Sequence, residues 1–182
     1  SLPHMELFAK LMLWGHPYMA PLILLAAVSL WGTRTVAPDP AKSAFVASFA
    51  LFALGGVLGY LIEGVNVVIP AHYHGSTVGV TLAFMGLAYV LLPVLGLGRP
   101  EGPMAIWQPY VYGAGQLIHV LGLAWSGGYG VQRKVAGADQ MLTTLPQKIG
   151  MGMMGLGGLI AVIGGLMFVL VCLKAMSRHS GR

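Results

Sequence analysis

Residues 65–93, with the sequence VNVVIPAHYHGSTVGVTLAFMGLAYVLLP, decide the fold of this chain. They lie within a run of 35 residues, between Glu63 and Arg99, that holds no Asp, Glu, Lys or Arg. A helix needs roughly 20 apolar residues to cross the hydrocarbon core of a bilayer. The run therefore predicts a short loop followed by one membrane-spanning helix near 71–95.

The rest of the chain repeats this pattern. Uncharged runs of 23, 20, 31 and 25 residues lie between four further pairs of charged residues: Lys10 and Arg34, Lys42 and Glu63, Glu101 and Arg133, and Lys148 and Lys174. They predict a single all-α membrane domain over 1–182, a polytopic transmembrane helix bundle of five spans. The spans are expected near 7–31, 43–64, 71–95, 105–126 and 148–173.

The composition excludes several classes of protein. Of the 182 residues 57% are apolar and 8% charged, and the mean hydropathy is +0.78. A soluble domain carries about a quarter charged residues, so this chain lacks the side chains for a water-facing surface. The single cysteine, Cys172, excludes an internal disulfide scaffold. The net charge of +5 suits helix ends at lipid head groups better than a nucleic-acid partner.

The basic residues predict an orientation in the membrane. Five spans place the two termini on opposite sides. The N-terminal side receives four basic residues, namely Lys10, Arg133, Lys134 and Lys148. The other side receives six, namely Arg34, Lys42, Arg99, Lys174, Arg178 and Arg182. The positive-inside rule then predicts a periplasmic N-terminus and a cytoplasmic C-terminus in a prokaryotic inner membrane.

Small residues recur at four-residue spacing in three of the predicted spans. These ridges are Gly55 and Gly59, then Gly75, Gly79 and Ala83, and finally Gly157, Ala161 and Gly165. Such ridges let helix backbones approach closely in lipid, so they predict a tight bundle.

Four histidines, His16, His72, His74 and His119, lie inside or at the mouth of a predicted span. At the helical rise, His16 lies about 14 Å and His119 about 10 Å from the N-terminal side. His72 and His74 open the third span on that same side. Ionisable groups at membrane depth are costly, and neutral imidazole is a common ligand of haem iron and copper. The cluster therefore predicts a haem or metal site in one half of the bilayer.

The spacing of His72 and His74 restricts how they bind. Two residues along a helix is about 200° of rotation, so the two side chains point to nearly opposite faces and cannot share one iron. His16 and His119 are both candidate partners of His72 on one iron, and the sequence does not choose between them. A six-coordinate haem held by two histidines suits electron transfer, because no open position is left for a gas.

A basic pair follows the fourth predicted span, in the loop 126–139 (SGGYGVQRKVAGAD). Arg133 and Lys134 are expected on the same side as the histidines, where they are placed to bind the propionates of a haem. An ordinary basic loop at the membrane surface is the alternative interpretation.

These segments resemble a known family. Residues 65–93 resemble the tenth helix of heme-copper oxidase subunit I, with its His-x-His pair. Residues 122–134 (GLAWSGGYGVQRK) resemble the end of the eleventh helix and its basic pair. Residues 12–21 (MLWGHPYMAP) are more loosely similar to the Gly-His-Pro motif of the sixth helix. The resemblance covers about 66–175, the C-terminal helices of that subunit, and 11–21.

The resemblance implies a role for each matched residue. His72 corresponds to the ligand of the high-spin haem and His74 to the ligand of the low-spin haem. Arg133 and Lys134 correspond to the pair that holds the propionates, with lysine in place of the second arginine. His16 corresponds to a copper ligand, whereas His119 has no matched counterpart and is a candidate extra axial ligand.

The departures from the family argue against independent catalysis. The chain has no adjacent His-His pair, which the family's copper site needs, and no early helix for the second ligand of the low-spin haem. Copper is therefore not expected from this chain alone, and oxidoreductase activity is expected only within a complex.

Three functions are compatible with these observations. The first is a subunit of a respiratory complex that carries electrons through a histidine-ligated, b-type haem. Its expected partners are other membrane subunits and a cytochrome c or iron-sulfur protein, and quinone is a further candidate. The second is the C-terminal piece of a split cytochrome c oxidase or nitric oxide reductase, completed by another chain. The third is a cofactor-free membrane scaffold.

Overall fold

The computed structural model describes residues 2–15, 22–23, 25–26, 39–135 and 137–178. The chain divides into two compact units, with the boundary after residue 37. In the first unit, helix α1 covers Leu2–Trp14. Much of the first predicted span, including His16, lies outside the described residues.

The second unit is built from four long helices. They are α2 (Pro40–Tyr60), α3 (Val68–Val94), α4 (Pro103–Gly128) and α5 (Leu145–Met176). A single 3-10 turn, Gly137–Gln140, precedes α5. No strand forms within the described ranges, so the predicted all-α class is confirmed for them.

The helices begin where the sequence supplies caps. The Asp39 side chain accepts a hydrogen bond of 2.9 Å from the Ala41 N–H, and Pro40 occupies the first turn of α2. The Thr144 side chain caps α5 in a capping box with Gln147. Both arrangements satisfy N–H groups that a helix leaves open at its start. Because of the Asp39 cap, α2 begins at residue 40 rather than at the predicted 43.

Three helices, α2, α3 and α5, are long and apolar enough to cross a membrane. α4 has 26 residues but is not among them, since Gln108, Gln116 and His119 make it more polar. The described part of the chain is therefore that of a membrane protein with three candidate spans, where the sequence predicted five. Large apolar side chains point outward along these helices; Phe84, for example, is 64% exposed.

Glycines allow the helices to approach each other closely. Two of the positions predicted for the small-residue ridges are wrong. Gly75 packs directly on Gly55 of α2, as the ridge predicted. Ala83, however, is exposed, and open space surrounds Gly165. The ridges continue instead through Gly86, which packs on Ala44, and Gly164, which packs on Tyr112. With 3.6 residues per turn, steps of four must alternate with steps of three to stay on one face.

A buried amide joins three helices of the second unit. Gln108 of α4 is fully buried. Its side-chain oxygen accepts a hydrogen bond of 2.8 Å from the Tyr89 hydroxyl of α3, and its Nε2 donates to the Gly164 carbonyl oxygen of α5 at 3.2 Å. Because both polar ends of this side chain are satisfied, its burial does not leave an open donor or acceptor.

The Gly75→Ala substitution is expected to destabilise the α2–α3 pair. An added Cβ would lie 2.8 Å from Gly55 Cα and 3.0 Å from Gly55 N, both backbone atoms that cannot turn aside. Overpacking of this kind costs about 1–3 kcal/mol in the free energy of unfolding. Gly56→Ala is the matched control, because nothing lies within 4 Å of a Cβ there. Denaturation of the detergent-solubilised chain would measure both, and equal stabilities would contradict the packing.

Candidate functional site

His72 and His74 lie in the first two turns of α3 and face different helices. The Nδ1 atom of His72 lies 2.7 Å from the Gly55 carbonyl oxygen of α2, and its ring packs against Gly59. His74 faces α4, where the centre of its ring lies 5.1 Å from that of His119. The prediction that the two side chains point to different faces is confirmed.

All three described histidines of the cluster engage a backbone carbonyl through Nδ1. His72 contacts Gly55, His74 contacts Pro70 at 3.1 Å, and His119 contacts Met154 of α5 at 2.8 Å. A carbonyl oxygen can only accept, so Nδ1 must carry the proton in each ring. In the neutral ring Nε2 then keeps its lone pair, which is the form that binds a metal.

His119 is brought to His74 and not to His72. The sequence left His119 open as a partner of His72, but His72 lies at the α2–α3 interface and His119 at the α4–α5 interface. The antiparallel packing of α3 on α4 brings His119 to His74. At one end of this helix pair Val68 contacts Gly127, and further along Tyr89 contacts Gln108.

His74 and His119 are neighbours and do not oppose each other. Metal–nitrogen bonds are about 2 Å long, so two imidazoles on opposite sides of one iron have ring centres about 6 Å apart with the haem plane between them. The two rings here are 5.1 Å apart and tilted by 37°, on helices in direct contact. As arranged, the pair leaves no room for a haem between its members.

Both rings open onto a groove of about 310 Å³. Its walls are polar on α3 and α4, and its floor on α5 is formed by small residues. The lining comprises His74, Tyr112, Gln116, His119, Gly158, Ala161, Val162 and Gly165. Gly158 and Gly165 carry no side chain, and open space surrounds Gly165, so α5 leaves the floor of the groove open. A flat ligand therefore has access to His74 from this side.

Sequence reasoning missed two residues of this groove. Tyr112, Gln116 and His119 follow each other at spacings of four and three, which places them on one face of α4. That polar stripe in an otherwise apolar helix is the signal that points to Tyr112 and Gln116.

Arg133 and Lys134 lie in the loop after α4, at the histidine end of α3. The Val67 N–H donates to the Val131 carbonyl oxygen at 3.0 Å, and Asn66 forms an isolated bridge with Gln132. The prediction that the basic pair shares one end of the bundle with His72 and His74 is thus confirmed. Arg133 is half-buried, and its Nε atom is buried without a hydrogen-bond partner in the described residues.

The fold and the site define a helical membrane protein with a histidine-lined groove. Within the described ranges, no group of three or more His, Cys, Asp or Glu side chains is placed to hold a metal ion. A haem needs only one or two axial ligands from the protein.

Comparison with known proteins finds relatives of much greater length. The chain is 42% identical to an uncharacterized protein of Rickettsia prowazekii (strain Madrid E) over 146 residues, which cover 74% of this chain and 28% of that protein. It is 30% identical to an uncharacterized protein of Aquifex aeolicus (strain VF5) over 69 residues, 38% of this chain and 18% of that protein. The match thus spans less than a third of either relative. No protein-family model and no solved structure matches the chain.

Proposed function

We propose that the chain is a haem-binding integral membrane subunit of a respiratory complex, related to heme-copper oxidase subunit I. The observation that carries this proposal is the state of the three imidazoles. His72, His74 and His119 each bind a backbone carbonyl through Nδ1 and keep the Nε2 lone pair for a ligand. Because a buried imidazole needs a partner for one N–H in any role, the feature that supports a ligand role is the Nε2 atom left over at all three positions.

His74 is the axial ligand that the groove fits best. The glycine floor on α5 leaves space for one face of a planar macrocycle, and the Pro70 carbonyl holds the His74 ring in one tautomer and orientation. A haem bound there supplies one-electron transfer. Gln116 and Tyr112 provide the polar part of the wall beside it.

His72 serves a second centre on the other face of α3. Gly59 makes space for its ring, because a side chain there would lie 2.9 Å from His72 Nδ1. The Gly55 carbonyl fixes the ring in the same tautomer as His74. Two centres on opposite faces of one helix would lie close enough together for electron exchange.

Arg133 and Lys134 are the proposed partners of the haem propionates. A half-buried guanidinium whose Nε has no partner is suited to a carboxylate ligand that completes its hydrogen bonds. The same proposal includes five spans, an inner-membrane location and a cytoplasmic C-terminus. His16, which the resemblance matches to a copper ligand, lies outside the described residues.

A second candidate function is the C-terminal piece of a split cytochrome c oxidase or nitric oxide reductase subunit I. The lengths of the relatives favour it: both extend far beyond the matched region, so a longer protein has room for the segments that would supply further haem and copper ligands. The activity of a completed oxidase would then belong to the assembly.

A reduced-minus-oxidised visible spectrum of the purified chain, repeated with carbon monoxide, tests the proposal. A low-spin band that carbon monoxide does not change supports the electron carrier, and it requires a second axial ligand beside His74 from outside the described residues. A band that shifts reveals an open iron position and supports the split oxidase. If no haem band appears when the chain is purified with its membrane partners, the proposal fails and the cofactor-free scaffold is left.

The His119→Ala substitution tests whether His119 is itself an axial ligand of the haem or only a neighbour of the axial ligand His74. Because His74 and His119 lie side by side, the variant is expected to retain the haem band at nearly full amplitude, with a shift in its position. Quantification of haem per polypeptide would measure this. Loss of one haem equivalent would instead identify His119 as an axial ligand and contradict the arrangement described above.

A further inference from the structure

A basic cluster lies at the end of the second unit that is remote from the histidines. Arg99, Lys174 and Arg178 line one small cleft, together with Glu101 and Met104. Its volume of about 20 Å³ is room for one water-sized group, such as a phosphate oxygen, and not for a whole organic ligand. Three cations and one carboxylate give the lining a net charge of +2.

Packing of the α3–α4 loop on α5 assembles this cluster. The Gly98 N–H donates to the Ala175 carbonyl oxygen at 3.0 Å, and a Cβ on Gly98 would lie 2.8 Å from Arg178 Cβ. Arg99 is therefore held beside the last turn of α5. The three cations come from two elements that are distant in sequence.

The partial negative charge at the C-terminus of α5 explains only some of the positive charge in this cluster. A cation in the last turn of a helix offsets the partial negative charge of its C-terminus, which accounts for Lys174. It does not account for Arg99, which another element carries to the same cleft. The N-terminus of α4, at Pro103, adds partial positive charge here, because Gly102 provides no side-chain cap.

Apolar side chains surround the cluster on the outside of the helices. Leu95 is 71% exposed, Leu173 is 56% exposed and Met104 is 45% exposed. A ligand that bridges the cations and this surface needs an anionic head and apolar tails. The sequence places this end on the cytoplasmic side, where the leaflet is rich in anionic lipid.

We propose that Arg99, Lys174 and Arg178 form a binding site for the phosphate group of an anionic phospholipid. The three side chains bind the phosphate oxygens, and the acyl chains lie along the exposed apolar surface of α3 and α5. The site does not depend on the proposed haem.

Native mass spectrometry of the detergent-solubilised chain with dioleoyl phosphatidylglycerol tests this site. The Lys174→Gln, Arg178→Gln double variant is expected to bind this lipid about 25-fold more weakly, about fivefold for each cation removed. Binding of dioleoyl phosphatidylcholine, which has no net charge, should be weaker in the unaltered chain and unchanged in the variant. Lys148→Gln is the control for each single charge removed, because it takes one exposed charge from the other end of α5.

Three outcomes would overturn the proposal. The first is a fivefold loss of binding in Lys148→Gln, the loss expected for each cation of the cluster, which would mean that overall charge alone attracts the lipid. The second is equal affinity of the unaltered chain for the two lipids. The third is displacement of the lipid by inorganic phosphate at equal concentration, which would mean that the cleft takes the free ion. If circular dichroism shows that the double variant is misfolded, Arg99→Gln in the loop tests the same site with an expected fivefold loss.

Discussion

Replacing His74 with alanine is expected to abolish one haem band in the reduced-minus-oxidised spectrum, and replacing His72 should abolish a different one. The reason is the separation of the two rings. His72 lies against α2 through the Gly55 carbonyl, whereas His74 lies beside His119 of α4. Since the two rings lie at different helix interfaces, each substitution removes a proposed axial ligand of one centre and leaves the other centre in place.

The controls for this experiment distinguish a lost ligand from a lost fold. His4→Ala removes an exposed histidine of α1 and should leave the spectrum unchanged. Added imidazole should restore part of the lost band in His74→Ala, because it can occupy the space of the deleted ring. A full spectrum in either the His72 or the His74 variant would contradict that assignment, provided that circular dichroism shows the same helix content.

The positions of the helices could be predicted because they depend on local sequence. Uncharged runs gave four of the expected helices within a few residues, and α2, α4 and α5 begin at or beside a proline, at Pro40, Pro103 and Pro146. A proline lacks an N–H that the first turn would not use in any case, so its effect is independent of tertiary structure. The opposite directions of His72 and His74 follow from helix geometry alone for the same reason.

The partner of each histidine could not be predicted, because it depends on the register between helices. His119 was an open candidate for His72, yet the packing of α3 on α4 brings it to His74. The ridges show a related limit. Gly165 continues the four-residue spacing but opens onto the groove, while Gly164 contacts α4. Adjacent positions on a helix face different directions, so a shift of one residue decides whether a glycine contacts another helix or lines the groove.

The paired substitution Arg133→Gln, Lys134→Gln is expected to lower the reduction potential of the haem nearest the basic loop. Two positive charges near the iron favour the reduced form, because reduction lowers the positive charge of the centre. At about 10 Å and an effective dielectric constant near 20, each charge contributes on the order of 1.7 kcal/mol. Exposure of Lys134 to solvent reduces its share, so we expect a total shift of about 100 mV, equivalent to about 2.3 kcal/mol.

Redox titration of the visible band measures this shift, and the structure supplies a control with the same loss of charge. The Arg99→Gln, Lys174→Gln variant removes two cations at the far end of the helices, where the cleft is lined by neither histidines nor the basic loop. Its potential should stay within about 20 mV of the unaltered protein, because charges beyond a Debye length are largely screened. An equal shift in both variants would show that net charge sets the potential. No shift in the first would mean that the buried Arg133 Nε serves a partner other than a propionate.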